Sequence, residues 1–173
     1  MCVNNQRKGA FEIKQKQYAN KERVYVCVPL SVKNHEKMLE TVCVANKYVR
    51  YVMKELQYFA IALHTYLPAF LNDKTFMQRD RLYDLRTQIL KQCDILMICG
   101  ERVSRDMKQE ILFAIKERKQ IMVFSSKVFN IVTKMIVDSG QTEFSLQYNE
   151  SHPKLAKVPK INNYDDFAIV GCG

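Results

Sequence analysis

Glycine is scarce in this chain, and its scarcity excludes two kinds of nucleotide-binding fold. The 173 residues include five glycines, and none of them lies between Pro29 and Asn34, in the loop that follows the first predicted strand. A dinucleotide-binding fold needs a glycine-rich turn at that place, and a P-loop ends in Gly-Lys-Ser or Gly-Lys-Thr. We therefore expect neither a nicotinamide-dependent dehydrogenase nor a P-loop ATPase.

Long apolar runs and an apolar leader are also lacking. No run is long enough to cross a bilayer, and Met1 is followed by polar residues and by Arg7 and Lys8. We therefore expect a cytoplasmic protein that has no membrane partner.

Metal-binding and serine-hydrolase patterns are absent as well. The six cysteines have no metal-ligand spacing, and four of them lie in apolar stretches that indicate reduced, buried thiols. These four are Cys27, Cys43, Cys93 and Cys99. The three histidines are not spaced as a metal site, and no Gly-x-Ser-x-Gly motif occurs. We expect no disulfide, no metal and no cofactor.

Positive charge is what the chain has in excess. Its formal net charge of +9 favours anionic partners such as nucleotides, phosphates or nucleic acid. The basic residues are scattered, however, and they do not alternate with aromatic residues as in a platform that stacks single-stranded bases. We therefore favour a solvated basic surface over a nucleic-acid site.

The clearest structural pattern lies between residues 94 and 124. Apolar runs at residues 95–99 and 121–124 are typical of strands that are buried on both faces of a parallel sheet. The segment between them has helical spacing, with Ser104 as the predicted N-cap. The pattern predicts a βαβ unit with a right-handed crossover.

Glu110 has an unusual place within that predicted helix. Its spacing from Met107 and Ala114 puts the carboxylate on the shoulder of the buried apolar stripe rather than on the solvent side. A carboxylate is costly to leave there without a partner, so we favour a ligand-binding or catalytic role over a structural salt bridge.

The rest of the chain supplies further strands and helices. We predict strands at residues 23–28 and 58–63, an edge strand at 144–148, and helices at 36–57, 78–93 and 128–139. The predicted fold class is α/β, with a three-layer Rossmann-like, doubly wound, mainly parallel sheet of four or five strands. We divide the chain into an N-terminal arm (1–22), this domain (23–140) and a C-terminal extension (141–173).

Polar residues follow the predicted strands at one edge of the sheet, where open parallel sheets bind ligands. They are Ser31 after the first strand, His64 and Tyr66 after the second, and Ser104, Asp106 and Glu110 after the third. Ser104 and Asp106 are more simply explained as a helix cap and a first-turn acid. For Tyr66 the alternative is plain packing, and for His64 it is a structural hydrogen bond.

Several short segments together resemble a known superfamily. They are Val24-Tyr25-Val26-Cys27-Val28-Pro29, Ala62-Leu63-His64-Thr65-Tyr66-Leu67-Pro68, Cys93-Asp94-Ile95 and Ser104-Arg105-Asp106-Met107-Lys108-Gln109-Glu110-Ile111. Across residues 23–125, this combination resembles a bacterial and phage branch of the nucleoside 2-deoxyribosyltransferase-like superfamily.

The resemblance implies roles for individual residues. Tyr25 and Pro29 match a Tyr-x-x-Gly-Pro turn that approaches the nucleoside, and Glu110 matches a glutamate that attacks the anomeric carbon of the sugar. The predicted catalytic residue is thus Glu110, and the predicted ligand contacts are Tyr25, Pro29, Ser31, His64, Tyr66, Ser104, Asp106 and Met107.

The chain departs from the superfamily at two positions. Val28 stands where the superfamily has glycine, which narrows the space for a close backbone approach. Arg86 stands where the transferases carry an aspartate that handles the base. The attacking group is therefore expected to be present while the base-activating group is missing.

Three functions remain open from the sequence. The one we favour is an enzyme that cleaves or exchanges the N-glycosidic bond of a small-molecule nucleoside or nucleotide through Glu110. The second is a binding module of the same fold that senses a nucleotide-derived ligand without turnover, and the two departures favour it. The third, an adaptor or nucleic-acid binder, depends on net charge alone.

We predict that the protein is a homo-oligomer, at least a dimer. The superfamily completes its pockets with a neighbouring subunit, and the last predicted helix carries the apolar face Val128, Ile131, Val132, Met135 and Ile136. The alternative is that this face simply covers the sheet. Light scattering over a range of protein concentrations should report a dimer or larger, and a monomer at every concentration would contradict the prediction.

Overall fold

A computed structural model describes residues 21–29, 35–63 and 79–150 of the chain. The strands are β1 (Arg23–Cys27), β2 (Phe59–Ile61), β3 (Ile95–Ile98), β4 (Gln120–Val123) and β5 (Leu146–Tyr148). The helices are α1 (His35–Lys54), α2 (Arg79–Lys91), α3 (Arg105–Lys116) and α4 (Ser126–Asp138). The described residues therefore alternate strand and helix through most of their length, as an α/β fold requires.

The five strands form one sheet in the order β2-β1-β3-β4-β5, and every neighbouring pair is parallel. The chain leaves β1 for β2 on one side and then returns to place β3 on the other side of β1. The carboxyl ends of β1 and β3 therefore meet where the direction of winding reverses, which is the usual ligand position in open α/β sheets. The predicted doubly wound parallel sheet is confirmed.

Each face of the sheet carries its own apolar core, because successive side chains of a strand point to opposite faces. On β1, Tyr25 and Cys27 pack with residues of α2, α3 and α4, and we call this side the α3 face. Val24, Val26 and Val28 pack instead with residues of α1, on the side we call the α1 face. The two cores make the predicted three layers.

The element boundaries differ from the predicted ones by a few residues. Helix α1 ends at Lys54 rather than near residue 57, and β2 covers Phe59–Ile61 only. The predicted edge strand is present as β5, which pairs parallel with β4. The four cysteines predicted to be reduced and buried are free thiols, and all four are buried.

The apolar face of α4 is divided between the core and the surface. Val128 and Val132 are fully buried in the α3-face core, whereas Ile131 is 39% exposed. Covering the sheet therefore accounts for much of this face, and the oligomeric state stays a prediction. Among the described residues, no helix combines the length and the apolar character that a membrane span needs.

Gly100 closes the contact between the ends of β1 and β3. The Cys99 N–H donates to the Cys27 carbonyl at 2.8 Å, and the chain then turns at Gly100 with φ of +93°. A Cβ placed on Gly100 would lie 3.3 Å from Cδ of Pro29, which is tighter than ordinary van der Waals contact. Glycine therefore suits the backbone conformation and leaves room for Pro29.

We predict that Gly100→Ala destabilises the fold by about 1 to 2 kcal/mol from the left-handed backbone alone, and further through the crowding against Pro29. Gly140→Ala is the matched control, because Gly140 also has a positive φ, of +71°, but its added Cβ would meet nothing within 4 Å. Urea unfolding should show the larger loss of unfolding free energy in Gly100→Ala. Equal losses in the two variants would mean that the Pro29 contact costs nothing.

Candidate active site

The start of α3 fixes the direction of every side chain on that helix. Ser104 is extended, with φ of −78° and ψ of 169°, and its Oγ accepts a hydrogen bond from the Met107 N–H at 3.2 Å. The Ser104 N–H in turn lies 3.4 Å from Sδ of Met107. This capping box begins the helix at Arg105 and turns Met107 and Glu110 toward the sheet.

Glu110 lies against the carboxyl-terminal half of β1 and is 4% exposed. The Tyr25 hydroxyl donates a hydrogen bond to Oε1 at 3.0 Å, and the Cys27 thiol donates one to Oε2 at 2.7 Å. Both donors come from β1, where a separation of two residues places them on the same face of the sheet. The register of one strand therefore supplies a partner to each oxygen of the carboxylate.

Burial determines the protonation of the two donors. It raises the pKa of the Tyr25 hydroxyl and of the Cys27 thiol well above their ordinary values, and the adjacent Glu110 carboxylate raises both further. Each group therefore keeps its proton at neutral pH and can donate it in a hydrogen bond. A carboxyl group that accepts at both oxygens is paired as an ionised carboxylate would be.

Opposing effects act on Glu110 itself. Burial raises the pKa of Glu110 from its ordinary value, while the hydrogen bond from Cys27, the positive charge of Arg86 and the hydrogen bond from Tyr25 lower it. Burial is the largest of these effects, so the net change is upward. Asp106 adds to the upward shift, so the ionisation of Glu110 depends on burial and on four neighbouring residues.

Arg86 brings a positive charge to the site from α2. Its side chain is buried, and the Nε–H donates to the Leu82 carbonyl at 3.2 Å. Its Nη1 lies 3.3 Å from Oδ2 of Asp106 and 3.8 Å from Oε1 of Glu110. The guanidinium therefore forms ion pairs with two carboxylates on α3.

The structure brings together part of the predicted set of site residues. Tyr25 is hydrogen-bonded to Glu110, and Asp106 and Glu110 both form ion pairs with Arg86. Pro29 lies beside Gly100, where β1 and β3 end. Ser104 and Met107 are engaged with each other at the helix cap, and Met107 is buried in the core. The predicted ligand contacts Ser31, His64 and Tyr66 lie outside the described residues.

Sequence reasoning missed two members of the site. Cys27 was interpreted only as a buried thiol, although its alternation with Tyr25 along β1 places both side chains on one face. Arg86 was noted only for the aspartate that it replaces. Its position four residues after Leu82 and three before Ile89 places it within the apolar stripe of α2, and that was a signal for a paired, buried charge.

The side chain of Val28 lies away from Glu110. This side chain is 1% exposed and belongs to the α1-face core, on the opposite side of the sheet from Tyr25 and Cys27. The space around Glu110 is therefore not filled by this side chain. In the part of the chain that the structure describes, no group of three or more His, Cys, Asp or Glu residues could hold a metal ion.

Comparisons with known proteins give one family and one solved structure. The profile of a domain of unknown function (DUF7768) matches residues 22–124, which include β1 to β4 and the whole Glu110 site. The solved CMP N-glycosidase BcmB of Clostridium botulinum is similar at 18% identity and a TM-score of 0.45, covering 74% of this chain and 87% of that one. No curated protein matches the chain.

We predict that Glu110 makes wild-type stability fall as pH rises. Its pKa in the folded protein is raised above the ordinary value of 4.5, so between the two values the folded protein binds more protons than the unfolded chain. The free energy of unfolding then decreases with pH through that window, by about 1.36 kcal/mol for each pH unit that separates the two pKa values. Glu110→Gln has no such titration and should gain stability relative to wild type as pH rises.

Urea unfolding of both proteins between about pH 4 and pH 8 measures this difference. Glu117→Gln is the control, because Glu117 is an exposed residue at the C-cap of the same helix. A difference between wild type and Glu110→Gln that is independent of pH, or that shrinks as pH rises, would contradict a raised pKa.

Proposed function

The chain belongs to the DUF7768 family, and we propose that it cleaves or transfers the N-glycosidic bond of a nucleoside or nucleotide through the Glu110 carboxylate. The observation that carries the proposal is the buried position of Glu110, hydrogen-bonded to Tyr25 and Cys27 in the carboxyl-terminal half of β1. Carboxylates are rarely buried without a structural or chemical reason, and perturbed ionisable groups concentrate at functional sites.

The proposed reaction has two steps. In the first, a Glu110 oxygen attacks the anomeric carbon, the carbon–nitrogen bond breaks, and the base leaves with the bonding electron pair and takes up a proton. The sugar is then held as an ester of Glu110. In the second, water or the nitrogen of another base attacks the same carbon, loses a proton, and releases the carboxylate. Water gives hydrolysis, and a second base gives transfer.

The contacts around Glu110 support such a role because they leave it able to attack. A carboxylate offers about four lone-pair sites, and Tyr25 and Cys27 each occupy one of them. The two donors also hold the carboxylate in a fixed orientation, so little rotational freedom has to be lost when the sugar arrives. The match of Tyr25, Pro29 and Glu110 to the superfamily motif supports the same assignment.

The structure supports the other predicted ligand contacts to different extents. Asp106 has a side chain that is 44% exposed, beside the buried carboxylate, and is well placed to meet a ligand hydroxyl. Ser104 and Met107 would contact a ligand only from positions that already form the cap of α3. Ser31, His64 and Tyr66 complete the proposed ligand-binding set from sequence alone.

A binding module without turnover is the second candidate. It is favoured by the 4% exposure of Glu110, which restricts access of a sugar carbon. In that case Tyr25 and Glu110 would recognise ligand hydroxyl groups, and no glycosyl ester would form.

We predict that Glu110→Gln abolishes turnover while ligand affinity stays within a small factor. Glutamine keeps the shape and one acceptor oxygen but lacks the negative charge and nucleophilicity, so the rate should fall by a factor on the order of a thousand or more. A panel of nucleosides and nucleotides is incubated with each protein, and free base is measured by chromatography. Thermal shifts on the same panel report binding, and the exposed Glu117→Gln is the control.

Two results would contradict the proposal in different ways. Base release at the same rate in wild type and Glu110→Gln would remove Glu110 as the nucleophile. Thermal stabilisation by a nucleotide without any free base would favour the binding module, and Glu110→Gln would then change affinity by roughly 0.5 to 3 kcal/mol through one hydrogen bond.

A further inference from the structure

Arg86 is a buried cation between two carboxylates of unequal exposure. Asp106 and Glu110 lie four residues apart on α3, and their side chains are 44% and 4% exposed, respectively. The Arg86 guanidinium, on α2, pairs with both of them and is itself nearly enclosed. A side chain in this position cannot be exchanged for an apolar one without removing the positive charge that faces a buried carboxylate.

The titratable and charged groups that face Glu110 come from three elements among the described residues. Strand β1 supplies the neutral donors Tyr25 and Cys27, α2 supplies Arg86, and α3 itself supplies the like charge of Asp106. Among the described residues, Arg86 is therefore the one positive charge that stabilises ionised Glu110 against its burial and against the repulsion from Asp106. At 3.8 Å from Oε1, it acts through its electric field rather than through a short hydrogen bond.

We propose that Arg86 is a positioning residue that keeps Glu110 ionised and oriented, and that Asp106 holds Arg86 in place from the solvent side. The guanidinium is itself anchored by its bond to the Leu82 carbonyl, so its position is set by α2 before any ligand binds. The consequence for catalysis rests on the proposed function, whereas the charge state of Glu110 does not.

The charge state of Glu110 can be measured directly. Glutamate labelled with ¹³C at Cδ is incorporated into the whole chain, Glu110 is assigned by its loss in Glu110→Gln, and its chemical shift is followed with pH. In Arg86→Met the pKa of Glu110 should rise by about one pH unit or more, because an opposite charge at this distance is removed. Arg86→Lys keeps the charge and should restore most of the difference.

Arg105→Met is the matched control. Arg105 is exposed and directly precedes Asp106, so the variant loses the same net charge without losing a contact to Glu110. The pKa of Glu110 should be unchanged in it. If Arg86→Met does not fold, Arg86→Gln removes the charge while keeping a polar side chain for the Leu82 carbonyl, and the same titration is made on it.

An unchanged Glu110 titration in the folded, uncharged variant would overturn the proposal. So would an equal rise in Arg105→Met, since that would reflect net charge rather than the ion pair. If the wild type releases base, the acidic limb of its pH profile of kcat/KM should shift to higher pH in Arg86→Met. In Arg86→Lys it should return toward the wild-type pH. If it releases none, the titration still decides the role of Arg86, so failure of the proposed function and failure of this inference are distinguished.

Discussion

The enclosure of the Glu110 carboxylate between α3 and the sheet is the constraint on which the rest of this site depends. A buried carboxylate needs compensation for the water it loses, and that compensation comes from separate parts of the chain. The alternation of β1 presents Tyr25 and Cys27, α2 presents Arg86, and the cap at Ser104 sets the rotation of α3. A shift of β1 by one residue would put Val24 and Val26 in place of both donors.

The same enclosure is what the proposed reaction of the Glu110 carboxylate depends on. Burial raises its pKa, and three neighbours oppose the rise, so that Glu110 is neither a fully solvated carboxylate nor a permanently protonated acid. A carboxylate with little hydration and a fixed orientation has less solvent and rotational freedom to lose when it attacks a sugar carbon. The parallel sheet contributes by bringing the ends of β1 and β3 together at the switch point, where Gly100 allows Pro29 to approach.

The fold and the placement of Glu110 could be predicted from the sequence because both depend on the local spacing of apolar residues. Apolar runs identified the buried strands β3 and β4, and the spacing of Met107, Glu110 and Ala114 identified the inward face of α3. The partners of Glu110 were harder to predict because they are distant from it in sequence or lie on another helix. Cys27 is 83 residues from Glu110 in the sequence, and Arg86 contacts it across the interface of α2 and α3. The prediction for Val28 considered only the glycine that it replaces in the motif. Because side chains alternate along a strand, the Val28 side chain lies on the α1 face, opposite Tyr25 and Cys27.

The stereochemistry of the reaction is the most direct test of Glu110 as a nucleophile. The protein is given a β-nucleoside in water containing methanol, and the anomeric configuration of the methyl glycoside is determined by NMR. Two successive displacements through a glycosyl ester retain configuration, so we expect the β-methyl glycoside from the wild type and none from Glu110→Gln. An α-methyl glycoside or a mixture of both anomers would contradict the covalent mechanism.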